Sequence, residues 1–226
     1  MNLLILGRGK TGSLVAEVAH GRRHHVRVLN SLDNAKSSAL TADFLSEINA
    51  VIDFTTPSAV VANVEACIQA GKSVVVGTTG WYDQAPMLRG KVLAAKTGLL
   101  YGTNFSIGMN LFFETVASAA PALGFEYSGQ IFERHHAQKK DAPSGTAITL
   151  QKILRESGGQ ELEITSFREG DVAGMHEVVL NSPHDRIYLC HDSKSRRGFA
   201  EGAVRGAEWL AGKQGFFDFR EIWKQL

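Results

Sequence analysis

Two short segments of the chain hold residue types whose spacing could do chemistry. The first, Glu133 to Ala147, reads Glu-Arg-His-His-Ala-Gln-Lys-Lys-Asp-Ala-Pro-Ser-Gly-Thr-Ala. His135, His136 and Lys139 bring titratable donors and a cation together there. Just downstream, Pro143-Ser144-Gly145-Thr146 leads into a stretch from Ala147 to Arg155 with helical apolar spacing. Ser144, Gly145 and Thr146 at a helix N-terminus can aim backbone N–H groups and a hydroxyl at a carboxylate. Taken singly, the first pattern is a surface accident and the second an N-cap. Side by side they supply an anion cradle next to acid–base groups, which a small dicarboxylate substrate requires.

The second segment is Gly7-Arg8-Gly9-Lys10-Thr11-Gly12, placed between the apolar run Leu3 to Leu6 and a helical stretch from Thr11 to Ala19. In that context glycines allow a tight turn and close backbone approach, and the helix N–H groups point at a phosphate. A dinucleotide site is therefore expected rather than a plain turn, with Lys10 as a local cation. The acidic residue that would hold an adenosine ribose should follow about twenty residues on, where the chain has Asn30-Ser31. Asp33 either folds back onto the ribose or begins the next helix, so the choice between NADH and NADPH stays open. Gly77-Thr78-Thr79-Gly80 and Gly102-Thr103-Asn104-Phe105 each follow an expected strand. Each is either an ordinary loop or, with the first turn, part of one ligand crevice at the carboxyl ends of the strands.

Other candidates carry less. His176, His184 and His191 could add to a zinc site, but no two histidines stand at i, i+4 on a helix and no thiolate pattern is present, so no metal is expected. Arg168 to His176 reads as a glycine-rich connection between strands, and Asp192 to Arg197 as a solvated basic loop.

The elements that must position these segments alternate over the first hundred or so residues. Strands are expected at Leu3 to Leu6, Val26 to Leu29, Ala50 to Phe54, Ser73 to Val76 and Leu99 to Tyr101, with helices between them. Continuous apolar strands call for cover on both faces, hence a doubly wound parallel sheet in an α/β fold. After Asn104 the rhythm changes to a long helix and then strands around 127–135, 163–168, 174–180 and 186–193, a mainly antiparallel α+β arrangement. A dinucleotide-binding domain over 1–104, completed by 205–226, and a second domain over 105–204 are expected.

Composition sets the outer bounds. Of 226 residues 44% are hydrophobic and 21% charged, which excludes disorder, and a net charge of +1 gives no field for nucleic acid or an anionic membrane. Cys67 and Cys190 form no metal or redox motif. The N-terminal apolar run is too short for a signal peptide, and nothing approaches the roughly 20 apolar residues of a membrane span; a cytoplasmic protein is expected.

The pattern HHxxKxDxPSGTA, with GTTG, NFSxGxN, DFTxP and SRxxFAxGAVRxAxWLxGK, resembles the dihydrodipicolinate (4-hydroxy-tetrahydrodipicolinate) reductases almost end to end. The resemblance implies an NADH- or NADPH-dependent reduction in diaminopimelate and lysine biosynthesis, a Rossmann-like N-terminal domain, and a substrate domain whose sheets build a homotetramer, with hinge closure between the two. It further implies Lys139 as proton donor, His135 as the acid/base or orienting group, and His136, Gly145 and Thr146 as substrate contacts. Gly7 to Gly12, Gly77 to Thr79 and Gly102 to Phe105 would hold the cofactor. The first turn is one residue shorter than the family's usual GxxGxxG, and no acidic residue ends the second strand. Two rivals are a different two-domain dehydrogenase or imine reductase acting on a small dicarboxylate, and a non-enzymatic NAD(P)H sensor, for which His135 and Lys139 together would have no use.

Overall fold

A computed structural model describes all 226 residues. In chain order the first elements are β1 (Asn2–Leu6), α1 (Lys10–Gly21), β2 (His25–Leu29), α2 (Ala42–Leu45), β3 (Ala50–Asp53), α3 (Pro57–Gln69), β4 (Ser73–Val76), α4 (Ala85–Ala94) and β5 (Gly98–Tyr101). Next come α5 (Ile107–Ala119), β6 (Ser128–His135), α6 (Gly145–Gly158), β7 (Ile164–Arg168), β8 (Met175–Asn181) and β9 (Arg186–Asp192). The chain closes with α7 (Arg197–Leu210), β10 (Gly215–Asp218) and α8 (Phe219–Ile222). Two compact units result, Met1–Ser106 with Arg197–Leu226, and Ile107–Arg196.

The first unit is a six-stranded parallel sheet of order β10-β5-β4-β3-β1-β2. Its central strands are apolar without alternation because both faces are covered. Leu3, Ile5, Ile52, Val75 and Leu100 pack towards α1 and α7, while Leu4, Leu6, Val51, Val74, Val76 and Leu99 pack towards α3 and α4. In α3, Pro57 opens the first turn and Val60, Val64, Cys67 and Ile68 form the buried stripe. In α7 the backbone itself approaches the sheet's loops, since a Cβ at Gly202 would stand 1.8 Å from the Phe105 carbonyl oxygen. The sixth strand, β10, was not among the expected strands; Phe216 and Phe217 pair with Leu99 and Leu100, and only that pairing makes a four-residue segment a strand.

The second unit has a four-stranded sheet of order β7-β6-β8-β9. β6, β8 and β9 are antiparallel, but β7 runs parallel to β6 because α6 carries the chain back before β7 begins. One face is buried, and β8 shows it by strict alternation: His176, Val178 and Leu180 are buried and their neighbours half-buried. Ile131, Val178 and Leu180 join Phe112, Phe113 and Val116 of α5 and Leu150, Ile153 and Leu154 of α6 in a single core.

Candidate functional site

In the first unit the glycine turn divides its labour. Gly7 has φ +101, and a Cβ there would fall 2.2 Å from the Phe54 carbonyl oxygen; a Cβ on Gly12 would fall 2.1 Å from the Gly7 carbonyl oxygen. These two glycines let the turn close against β3 and let α1 seat on it. Gly9, the N-cap of α1, has extended backbone and open space where a side chain would stand. Arg8, Gly9 and Lys10 are exposed and Thr11 is half-buried. Beside the turn lies a cavity of about 520 Å³, reached by Arg8, Gly9, Asn30, Ser31, Lys36 and Thr55 among others, a size suited to one part of a nucleotide.

The loop after β2 folds on itself. Asn30 Oδ1 accepts from the Leu32 and Asp33 amides at 2.7 and 3.1 Å, and Asp33 Oδ2 accepts from the Asn30 amide at 3.3 Å. Asp33 thus closes a turn, and the next short helical turn starts only at Ala35. A buried relay fixes this loop from below. Asn34 Nδ2 and Ser37 Oγ donate to Asn63 Oδ1 at 3.0 and 2.8 Å, and Asn63 Nδ2 donates to Asp53 Oδ2 at 2.8 Å. Asp53 Oδ1 accepts from the Thr55 amide, the Thr55 hydroxyl and the Thr78 hydroxyl at 2.9, 2.6 and 3.1 Å. Burial pushes the Asp53 carboxyl up despite these bonds.

The remaining cofactor candidates fall into two kinds. Thr79 is exposed, whereas Thr78 is buried with its hydroxyl committed to Asp53, and Gly77 leaves room for the Phe54 ring, 2.2 Å from where a Cβ would be. Phe105 is buried, with its ring 4.6 Å from that of Phe219, so its side chain serves the core. Asn104 is buried and its Oδ1 accepts from the Ser106 amide at 2.9 Å; Thr103 is half-buried, and Gly102 is packed under Phe219. Only the backbone of this loop can serve a ligand at Gly102 and Phe105.

In the second unit a single carboxylate organises the site. Glu133, on the buried face of β6, is fully shielded. Its Oε1 accepts from the Ser144 amide at 3.1 Å, the Ser166 hydroxyl at 2.7 Å and Arg168 Nη2 at 2.7 Å. Its Oε2 stands 3.2 Å from His135 Nδ1 and 3.9 Å from His176 Nε2. Burial alone would raise this carboxyl, but the His135, Ser144, Ser166 and Arg168 donors overcome it and hold it well below the usual carboxylate range. It is an anion at any working pH. His176 is pushed down to about 3, by burial first and then by His135, so it is neutral, with Nε2 3.2 Å from the Ser144 hydroxyl. One oxygen or nitrogen from each of Glu133, His135 and His176 falls within 4.8 Å of the others. That spacing suits a cation, yet the Arg168 guanidinium already occupies the same carboxylate and the hydrogen bonds account for the arrangement.

Strand register brings this set together. Glu133 pairs with Ser166 of β7 and His176 of β8, and His135 pairs with Arg168. Arg168 Nη2 also donates to the Asp141 carbonyl at 2.6 Å, tying down the loop that carries Lys139. Lys139 Nζ donates to both Asp141 carboxylate oxygens at 2.8 and 2.9 Å. Ser144 caps α6 through its side chain, accepting from the Ala147 amide at 3.2 Å. It is buried and faces Glu133 and His176 rather than the surface, while Gly145 at the helix start is exposed. His136 is half-buried and its amide donates to the Val172 carbonyl.

Glu133, Ser166, Arg168 and His176 are the members whose part in this cluster motif reading missed, and the Arg168–His176 stretch, expected to be structural, lines the site. The phase of β6 carried a signal: in a strand that buries Ile131, the residues Glu133 and His135 share its face, and a buried Glu demands partners.

Sequence profiles for two halves of one family match the chain: "Dihydrodipicolinate reductase, N-terminus" over residues 1–105 and "Dihydrodipicolinate reductase, C-terminus" over 108–223. A 4-hydroxy-tetrahydrodipicolinate reductase of Christiangramia forsetii is 38% identical over 240 residues, covering 100% of this chain and 99% of the relative. One from Chromobacterium violaceum is 31% identical over 261 residues, covering 98% and 97%. In solved structures, a dipicolinate-bound dihydrodipicolinate reductase from Paenisporosarcina sp. TG-14 shares the fold with a TM-score of 0.79 at 22% identity, over 98% of this chain and 99% of that one. With both halves matched and full-length relatives above 30% identity, the chain belongs to the dihydrodipicolinate reductase family.

Proposed function

We propose that this chain reduces 4-hydroxy-tetrahydrodipicolinate to tetrahydrodipicolinate, an NADH- or NADPH-dependent step of diaminopimelate and lysine biosynthesis. Family membership carries the activity. The observation that carries the site is the Glu133-centred cluster, in which one buried anion holds an acid–base histidine and the capped start of α6.

The 4-hydroxyl leaves as water to give the conjugated imine, to whose ring carbon NAD(P)H, when bound, would supply a hydride. The first unit, Met1–Ser106 with Arg197–Leu226, is then the dinucleotide-binding domain, with the open position at Gly9 and the exposed start of α1 taking a phosphate. Arg8, Lys10 and Thr11 flank that position, and Gly77 to Thr79 and Gly102 to Phe105 contribute backbone and the exposed Thr79 side chain. The second unit is the substrate domain. Gly145 and Thr146 at the N-terminus of α6, with His136, receive a substrate carboxylate, and Ser144 fixes the cap that aims them.

Lys139 leaves its Asp141 partner for the substrate and donates the proton that quenches charge built up on the ring, with His135 beside it as acid/base or orienting group. The chain acts as a homo-oligomer, a tetramer built on the second unit's sheet, where Phe167 and Tyr188 are 41% and 59% exposed on the two edge strands. No helix is long and apolar enough to cross a membrane, and we place the chain in the cytoplasm.

The test is oxidation of NADPH and of NADH in the presence of enzymatically generated substrate. Turnover with kcat/KM values for the two cofactors within about thirtyfold is expected, roughly 2 kcal/mol, because Asn30 and Ser31 can bond a ribose hydroxyl without repelling a 2′-phosphate. Absence of turnover with either cofactor overturns the activity. A hundredfold preference for NADH would mean that Asp33 leaves its turn for the ribose.

A further inference from the structure

Among the buried polar atoms of the second unit that make no other hydrogen bond, Glu133 Oε2 and His135 Nδ1 face each other, 3.2 Å apart. Stranded buried groups of this kind are costly, so each must satisfy the other. Since Glu133 is held as an anion, it can only accept, and Nδ1 must carry the proton. The other ring nitrogen, Nε2, faces Gly174, where a Cβ would stand 3.0 Å from it. Gly174 has φ +150, a backbone conformation that L side chains rarely adopt. Both the conformation and the clearance beside Nε2 require glycine.

We propose that Glu133 is a positioning residue that fixes the tautomer of His135, with Nδ1–H donating to Glu133 Oε2, so that Nε2, kept clear by Gly174, is the nitrogen that takes and returns a proton. The same carboxylate receives the Ser144 amide through its other oxygen, so it sets the register between the acid–base group and the anion cradle of α6. This inference rests on the reading of His135 as an acid–base group.

Glu133→Gln is a sharp probe because its outcome is forced. Three donors, the Ser144 amide, the Ser166 hydroxyl and Arg168, converge on Oε1. A glutamine must keep its carbonyl oxygen towards them and turn its NH2 towards His135. Nδ1 then has to accept, and the proton of neutral His135 moves to Nε2.

The experiment is a long-range 1H–15N spectrum of the full-length protein labelled at its eight histidines, with His135 assigned by its disappearance in His135→Gln, beside steady-state kinetics. Expected are neutral His135 protonated on Nδ1 in the wild type and on Nε2 in Glu133→Gln. A fall in kcat of roughly 10- to 100-fold should accompany the switch, with substrate KM and NADPH Kd moving less than threefold. A merely structural Glu133 would lower stability without that split between kcat and KM.

Neutral wild-type His135 protonated on Nε2 would overturn the proposal, and this spectrum decides even where Glu133→Gln fails to fold. A folded Glu133→Gln with kcat within threefold of wild type would overturn it too. If His135→Gln itself kept full kcat, the acid–base reading would fall, which is a different result from failure of the tautomer.

Discussion

Each unit is built around one fully buried carboxylate, and the two could hardly be used more differently. Asp53 at the end of β3 accepts only from amides and hydroxyls, those of Thr55, Asn63 and Thr78, and burial still raises its pKa. Glu133 on β6 is just as buried, yet a guanidinium and an imidazole among its donors hold it far down as an anion. Neutral donors can shape a loop, and through Asn63 the Asp53 bonds reach Asn34 and Ser37 beside the cavity next to the glycine turn. On Glu133 the His135, Ser144, Ser166 and Arg168 donors together outweigh burial, as those on Asp53 do not. A scaffold in the first unit and a working electrostatic component in the second follow from that difference in donors.

The comparison breaks first if chemistry is not confined to the Glu133 side. Lys139→Ala should lower kcat by about 10²- to 10⁴-fold with NADPH affinity unchanged, the range for loss of a positioned proton donor; stopped-flow turnover and a binding titration check it, and a loss under tenfold would remove Lys139 from that role. On the scaffold side, Asp53→Ala strands the donors of Asn63, Thr55 and Thr78 and should cost about 2–4 kcal/mol of stability. Urea unfolding measures the loss, and kcat at saturating cofactor should stay within threefold.

Acid sharpens the contrast because the two signs differ. Glu133 has a lowered folded pKa, so its contribution to stability is present above its unfolded value of about 4.3 and is lost as pH falls towards the folded one. Asp53 has a raised folded pKa, so its contribution is full below about 3.9 and is lost as pH rises through the folded value. Between pH 7 and 3, the wild type's stability margin over Glu133→Gln should shrink, and its margin over Asp53→Asn should grow. Each slope is bounded by about 1.4 kcal/mol per pH unit, and slopes of one sign would erase the distinction. The smallest effect expected is at the cradle: Thr146→Val should raise substrate KM about three- to tenfold, near 1 kcal/mol, and leave nucleotide affinity alone.

What the sequence made legible was local. Gly7 to Gly12 and Pro143 to Thr146 each sit within one turn, so their chemistry is visible in the order of letters. Glu133, Ser166, Arg168 and His176 meet only through the pairing of β6 with β7 and β8, and nothing in any one segment announces the register that aligns them. Ser144 shows the limit from the other side: the motif identified it as a cradle residue, and the fold turns it inward as a cap and a partner for Glu133. The parallel placement of β7 escaped strand patterning for the same reason, since alternation reports which face is buried and is silent on direction. β10 likewise acquires its identity from β5.

Within the hexapeptide from Gly7 to Gly12, the positions answer to different authorities. A methyl group at Gly7 or Gly12 would collide with the backbone of the chain itself, whereas one at Gly9 would collide with nothing the chain contains. Gly7 and Gly12 are demanded by folding, and Gly9 is not. On the proposed reading of the turn as a phosphate site, a side chain at Gly9 should therefore leave the fold intact and weaken nucleotide binding, and that variant would report what the rest of the molecule does without its cofactor.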